Sequence, residues 1–93
     1  NELPRISVEL AEWCVTHGAR MLGVEPPSVA DINDLTEVTQ IHEILLGGDV
    51  IIIEGLTGLG SIQREAVDLI ALPLKISGGD GAPARVIALE EKF

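Results

Sequence analysis

Four consecutive β-branched residues, Val50-Ile51-Ile52-Ile53, constrain this chain more than any other segment. Branching at Cβ stiffens χ1 and suits the pleated surface of a strand better than a helix. A run without polar alternation is expected of a strand covered on both faces. It begins just after Gly47-Gly48-Asp49 and stops at Glu54-Gly55. A strand that short needs other elements packed around it, and the flanking sequence supplies them. Leu35, Val38, Ile41, Leu45 and Leu46 share one arc of a helical wheel. Asp34 and Glu37 have the spacing of a capping box, which predicts a helix from there to about Leu46, ended by the glycine pair.

The same reasoning covers the rest. Ser7 is placed to cap a helix running to about His17, with Gly18 as its stop and Val8, Leu10, Ala11, Cys14 and Val15 as its apolar positions. A strand is predicted from Arg20 to Val24, broken by Pro26-Pro27, and Ser28 to Leu35 reads as a loop. Leu56 to Arg64 reads as a loop with a helical turn. Two further strands, Val67 to Ile76 and Arg85 to Leu89, are joined by the turn-rich Ser77-Gly78-Gly79-Asp80-Gly81-Ala82-Pro83. The order α-β-α-β-β-β predicts an α/β fold, a mixed sheet packed by helices. With 93 residues the chain makes at most one small domain, 1–93; such a chain buries only about 60–65% of its unfolded surface. Trp13 and Phe93 are its only aromatics, so the expected core is aliphatic.

Fifteen acidic residues against six basic ones, a formal charge of −9, leave no basic patch. Neither nucleic acid nor an anionic membrane is an expected partner. No run approaches the ~18 apolar residues of a membrane-spanning helix. Asn1-Glu2-Leu3-Pro4-Arg5 does not read as a signal peptide, and the absence of an initiating Met points to processing or to further chain upstream. Cys14, the only cysteine, precludes an internal disulfide and fits a reduced, cytoplasmic protein, in which it serves as a small buried hydrophobe.

Two polar residues stand where apolar ones belong. His42 falls within the apolar arc of the second helix, between Val38 and Leu46. It is either a core histidine satisfied by a backbone carbonyl or a ligand. Glu54 shares a strand face with Val50 and Ile52. Either the strand has emerged into solvent at that point, or the carboxylate is paired or coordinates something. A helix feeding a neighbouring strand through a Gly-Gly turn brings the two within reach of each other, as half of a shell for a divalent metal; a catalytic zinc ordinarily has three protein ligands. His17, in the last turn of the first helix, is expected to interact with that helix's carbonyls and dipole. Gly78-Gly79-Asp80-Gly81 lacks the dinucleotide-binding pattern and reads as a hairpin connection. Asp49 and Asp80 read as turn formers.

Ile41-His42-Glu43-Ile44-Leu45-Leu46 followed by Val50-Ile51-Ile52-Ile53-Glu54-Gly55-Leu56 resembles the cyclase family, which includes bacterial kynurenine formamidases and isatin hydrolases. Leu22-Gly23-Val24-Glu25-Pro26-Pro27-Ser28 is similar to that family's strand and loop before the metal-bearing helix. Ala71-Leu72-Pro73-Leu74-Lys75-Ile76 and Gly79-Asp80-Gly81-Ala82-Pro83-Ala84-Arg85 are similar to its closing strands. The resemblance implies a swivelling β/β/α fold, a small amide, formamide or lactam as substrate, a homo-oligomer, and two zinc or manganese ions. It implies that His42 and Glu54, twelve residues apart as in the family, are metal ligands. The family's H-x-G-T-H-x-D segment and its acid/base histidine are absent, so no residue here is assigned a catalytic role and the chain alone is not expected to be active. The chain then corresponds to the C-terminal part of a longer hydrolase domain, completed by an N-terminal half or a partner chain. The other expectation is a non-catalytic structural or interaction subunit of the same fold.

Overall fold

A computed structural model of the chain describes residues 5–90. Asn1 to Pro4, which read as no signal peptide, and the aromatic Phe93 lie outside the described residues. The chain divides into two compact units, Asn1–Thr57 and Gly58–Phe93.

The first unit is built by repeating one device. Helix α1 (Val8–Thr16) begins at Ser7, whose hydroxyl accepts the Leu10 N–H, and ends in a Schellman turn. There Ala19 N–H donates to the Cys14 carbonyl and Gly18 N–H to that of Val15, at 2.9 and 3.1 Å, with Gly18 left-handed at φ 73°. Helix α2 (Leu35–Gly47) ends in the same way: Val50 N–H donates to Leu45 O and Asp49 N–H to Leu46 O, at 2.9 and 3.1 Å. Its left-handed residue is Asp49, at φ 62°, and not a glycine. Aspartate is one of the few residues that tolerate this conformation. The expected glycine-pair stop is therefore a three-residue stop in which Gly48 is the cap and Asp49 makes the turn. Each turn delivers the chain into a strand, β1 (Met21–Gly23) after α1 and β2 (Ile51–Ile53) after α2. The two strands pair in parallel with Met21 opposite Ile51 and Gly23 opposite Ile53. Parallel pairing requires a long crossover, and α2 provides it.

The core of this unit is Ile6, Ala11, Cys14, Val29, Ala30, Ile41, Leu45 and Val50, aliphatic as expected. Three members of the expected arc on α2 are not in it: Val38 is half-buried and packs against it, and Leu35 and Leu46 are exposed. Leu35 is 77% and Leu46 57% exposed, whereas Ile41 and Leu45 are fully buried. The buried stripe is centred on Ile41 and Leu45, and Leu35, His42 and Leu46 lie on one flank of it. β2 also differs from expectation: Ile51 is 58% exposed while Ile52 and Ile53 are half-buried, so among the described residues the strand is not covered on both faces along its whole length.

The helices approach closely where Gly48 meets Val15. A Cβ at Gly48 would lie 2.5 Å from Val15 Cγ2 and 2.7 Å from Cγ1. Gly48→Ala is expected to cost about 1–3 kcal/mol through overpacking. Adding Val15→Ala should recover part of that loss. Urea melts of the single and double variants check this; additive losses would contradict it.

The second unit is an antiparallel hairpin, β3 (Asp68–Pro73) and β4 (Ala84–Leu89), preceded by a single 3₁₀ turn at Leu59–Ser61. Asp68 pairs with Leu89 and Pro73 with Ala84, and the ladder extends through the bond from Leu74 N–H to Pro83 O at 2.8 Å. The glycine-rich segment forms its connection, as expected, with Gly78 left-handed at φ 71°. Leu69, Ile70, Leu72, Leu74, Ile87 and Leu89 are all exposed. The α/β class thus holds, but the strands fall into two two-stranded sheets, one parallel and one antiparallel.

Candidate functional site

The site lies where α2 and the end of β2 converge. His42 sits on the flank of α2, half-buried, one turn after Val38. Its Nδ1 lies 2.8 Å from the Val38 carbonyl oxygen. A carbonyl only accepts, so Nδ1 carries the proton and donates it. The other ring nitrogen, Nε2, is thereby turned outward, 3.3 Å from Glu54 Oε2. The reading of His42 as a histidine satisfied by a backbone carbonyl holds for Nδ1, and the other ring nitrogen faces a carboxylate.

Glu54 follows β2 and precedes Gly55, which is left-handed at φ 72° and donates its N–H to Pro26 O at 2.9 Å. That turn ends the strand at the carboxylate. Glu54 Oε2 also accepts the Val29 N–H at 2.9 Å. The side chains of His42 and Glu54 are 29% and 30% exposed, at the rim of the core and open to solvent on one side. With a proton on Nε2 the contact is an ion pair. Without it, two lone-pair donors face each other, an arrangement that suits a shared cation.

Sequence reasoning missed the loop behind the carboxylate. Three successive amides of residues 29–31 are each held by a side-chain oxygen: Val29 by Glu54 Oε2, Ala30 by Ser28 Oγ at 3.2 Å, and Asp31 by Glu37 Oε2 at 3.0 Å. Glu37 was expected to return to the helix N-cap as the second half of a capping box. Only the first half forms, with Asp34 Oδ1 accepting the Glu37 N–H at 3.1 Å. Glu37 instead reaches the loop and Arg5 Nε, at 3.3 Å. The signal that could have exposed this is the burial of Ser28, Val29 and Ala30, which leaves their amides in need of partners.

Elsewhere the expectations of ordinary roles hold. His17 stacks on Trp13, with ring centroids 4.1 Å apart, and its Nδ1 lies 2.9 Å from the Trp13 carbonyl. Cys14 is buried and free. Among the described residues no group of three or more histidine, cysteine, aspartate or glutamate side chains is placed to hold a metal, so His42 and Glu54 stand as a pair. No helix among them is long and apolar enough to cross a membrane.

No protein-family model matches the chain. The chain is 35% identical over 85 residues to a kynurenine formamidase of Erythrobacter litoralis, covering 91% of this chain and 38% of that protein. To a kynurenine formamidase of Salinibacter ruber it is 41% identical over 70 residues, 75% of this chain and 32% of the relative. Its fold matches a solved structure described as a potential metal-dependent hydrolase with cyclase activity, with a TM-score of 0.74, 26% identity, and coverage of 96% of this chain and 42% of that one. The chain therefore spans well under half the length of the proteins it matches. Sequence and fold agree that the chain belongs to the cyclase family of metal-dependent hydrolases, with the kynurenine formamidases among its relatives.

Proposed function

We propose that this chain supplies two ligands of the metal centre of an amide hydrolase, acting on a formamide, lactam or related small amide. The observation that carries the reading is the disposition of His42 Nε2 and Glu54 Oε2, 3.3 Å apart with each side chain oriented by the backbone. Ligand bonds of about 2.0–2.1 Å around tetrahedral zinc put neighbouring donor atoms about 3.4 Å apart. A histidine whose second nitrogen donates to a carbonyl, beside a hydrogen-bonded carboxylate, is also the usual outer-shell pattern of metal ligands. The residues therefore fit a divalent ion, zinc or manganese, held by His42 and Glu54.

When bound, such an ion supplies Lewis acidity and a water whose pKa falls toward ~7. The chain's own part is to hold the donors. Val38 O fixes the tautomer that leaves the Nε2 lone pair free, and the Val29 amide keeps Glu54 in place through Oε2. The remaining ligands and the proton-transferring group lie beyond these two residues, in further chain or in a partner. On this reading residues 1–93 form the C-terminal part of a longer hydrolase domain, which works as a homo-oligomer in the cytoplasm. The test is hydrolysis of an aryl formamide by the protein containing this chain, before and after chelation. Activity should vanish and return with zinc or manganese. Hydrolysis that survives exhaustive chelation contradicts the proposal.

The exposed apolar hairpin favours a second reading, a non-catalytic subunit whose β3 and β4 pack on another polypeptide. A native gene product of 9.9 kDa by intact mass, with no formamide hydrolysis, would favour it over the hydrolase.

A further inference from the structure

We propose that Glu37 is a positioning residue for the metal ligand Glu54, acting through the buried loop at residues 28–31. The inference rests on the metal-centre reading above and extends it to a residue that touches neither ligand. Among the described residues the backbone group that holds Glu54 is the Val29 amide, so the orientation of its carboxylate follows the orientation of that amide. Val29 is fully buried and its carbonyl accepts the Ile6 N–H at 2.9 Å, which leaves little room for the peptide to turn unless the loop itself shifts. Two residues on, the Asp31 amide is tied to Glu37 Oε2 at 3.0 Å. Glu37 is well placed to act as that tie. It lies in the first turn of α2, where its own N–H is capped by Asp34, and only 21% of its side chain is exposed. Arg5 braces it from the other side, with Nε 3.3 Å from Glu37 and Nη1 3.9 Å from Asp31.

One rigid helix therefore controls both ligands. His42 rides on α2 directly, and Glu54 is referred to the same helix through Glu37, Asp31 and Val29. The separation of Nε2 and Oε2 is set by α2 at both ends, which accounts for a well-formed donor pair at an otherwise open rim. Outer-shell partners of metal ligands typically matter by 10–100-fold in affinity, and Glu37 should lie at the lower end of that range because it acts at one remove.

The experiment is amide NMR of the whole protein containing this chain, with substoichiometric Mn²⁺ as paramagnetic probe, in wild type, Glu37→Ala, Glu37→Gln and His42→Ala, with metal-free melting as the stability control. In wild type, Mn²⁺ should broaden the Val29, His42 and Glu54 resonances, and His42→Ala should abolish this. Glu37→Ala should weaken the broadening about tenfold in Mn²⁺ concentration and speed hydrogen exchange at Val29. Glu37→Gln, which keeps an acceptor for the Asp31 amide, should restore both to near wild type. Weakened broadening in Glu37→Ala that Glu37→Gln does not restore, or that merely follows a fall in melting temperature, overturns the positioning role. So does wild-type-like broadening in Glu37→Ala. Absence of His42-dependent broadening in wild type overturns the metal-centre reading itself, and with it this inference. Should Glu37→Ala fail to fold, Glu37→Gln against Glu37→Met decides, with only the methionine variant expected to lose affinity.

Discussion

Leu45→Ala is expected to remove about 2–5 kcal/mol of stability, the cost of emptying a fully buried leucine site. Leu45 has no exposed surface and packs in the aliphatic core of the first unit. Its carbonyl also receives the Val50 N–H of the turn into β2. A domain of this size has roughly 5–15 kcal/mol to lose, so the variant should be partly unfolded well below the wild-type urea midpoint. Leu46→Ala, one residue on, removes a side chain that is 57% exposed and should shift stability by less than about 0.5 kcal/mol. Equilibrium urea unfolding of the pair measures the contrast. Equal losses at the two positions would contradict the placement of the buried stripe.

The second large effect concerns the proposed ligands. His42→Ala and Glu54→Gln should each weaken divalent-metal binding by more than the ~10–100-fold that follows loss of an outer-shell partner. Neither should greatly disturb the metal-free fold. His42 lies on the flank of the core with about a third of its side chain in solvent, and a glutamine at position 54 still accepts the Val29 amide. Calorimetric titration with zinc, alongside melting of the metal-free proteins, separates the two effects. Unchanged affinity in both variants, or affinity lost only because the protein unfolds, would count against the assignment.

Much of this was legible in the residues because the signals were local. Ser7 and Asp34 announced helix starts by side-chain chemistry, Gly18 announced a stop by its conformational freedom, and Val50 to Ile53 announced a strand by their branching. The pairing of His42 with Glu54 was legible as two polar residues breaking apolar patterns on consecutive elements. What could not be read depended on tertiary context. The rotation of α2 about its axis placed Leu35 and Leu46 outside the core, a matter of which neighbours the helix found. The division of four strands into two sheets is a matter of long-range pairing, and nothing local records that. Glu37 was misjudged because its spacing satisfied a capping box, while the half-buried Asp31 amide and Arg5 offered it better partners.

The most direct measurement is diffraction from crystals of the protein soaked in zinc, with data collected on both sides of the zinc absorption edge. An anomalous peak is expected about 2.0–2.2 Å from both His42 Nε2 and a Glu54 carboxylate oxygen. A peak elsewhere, or an imidazole and carboxylate still in direct contact with no metal between them at saturating zinc, would contradict it.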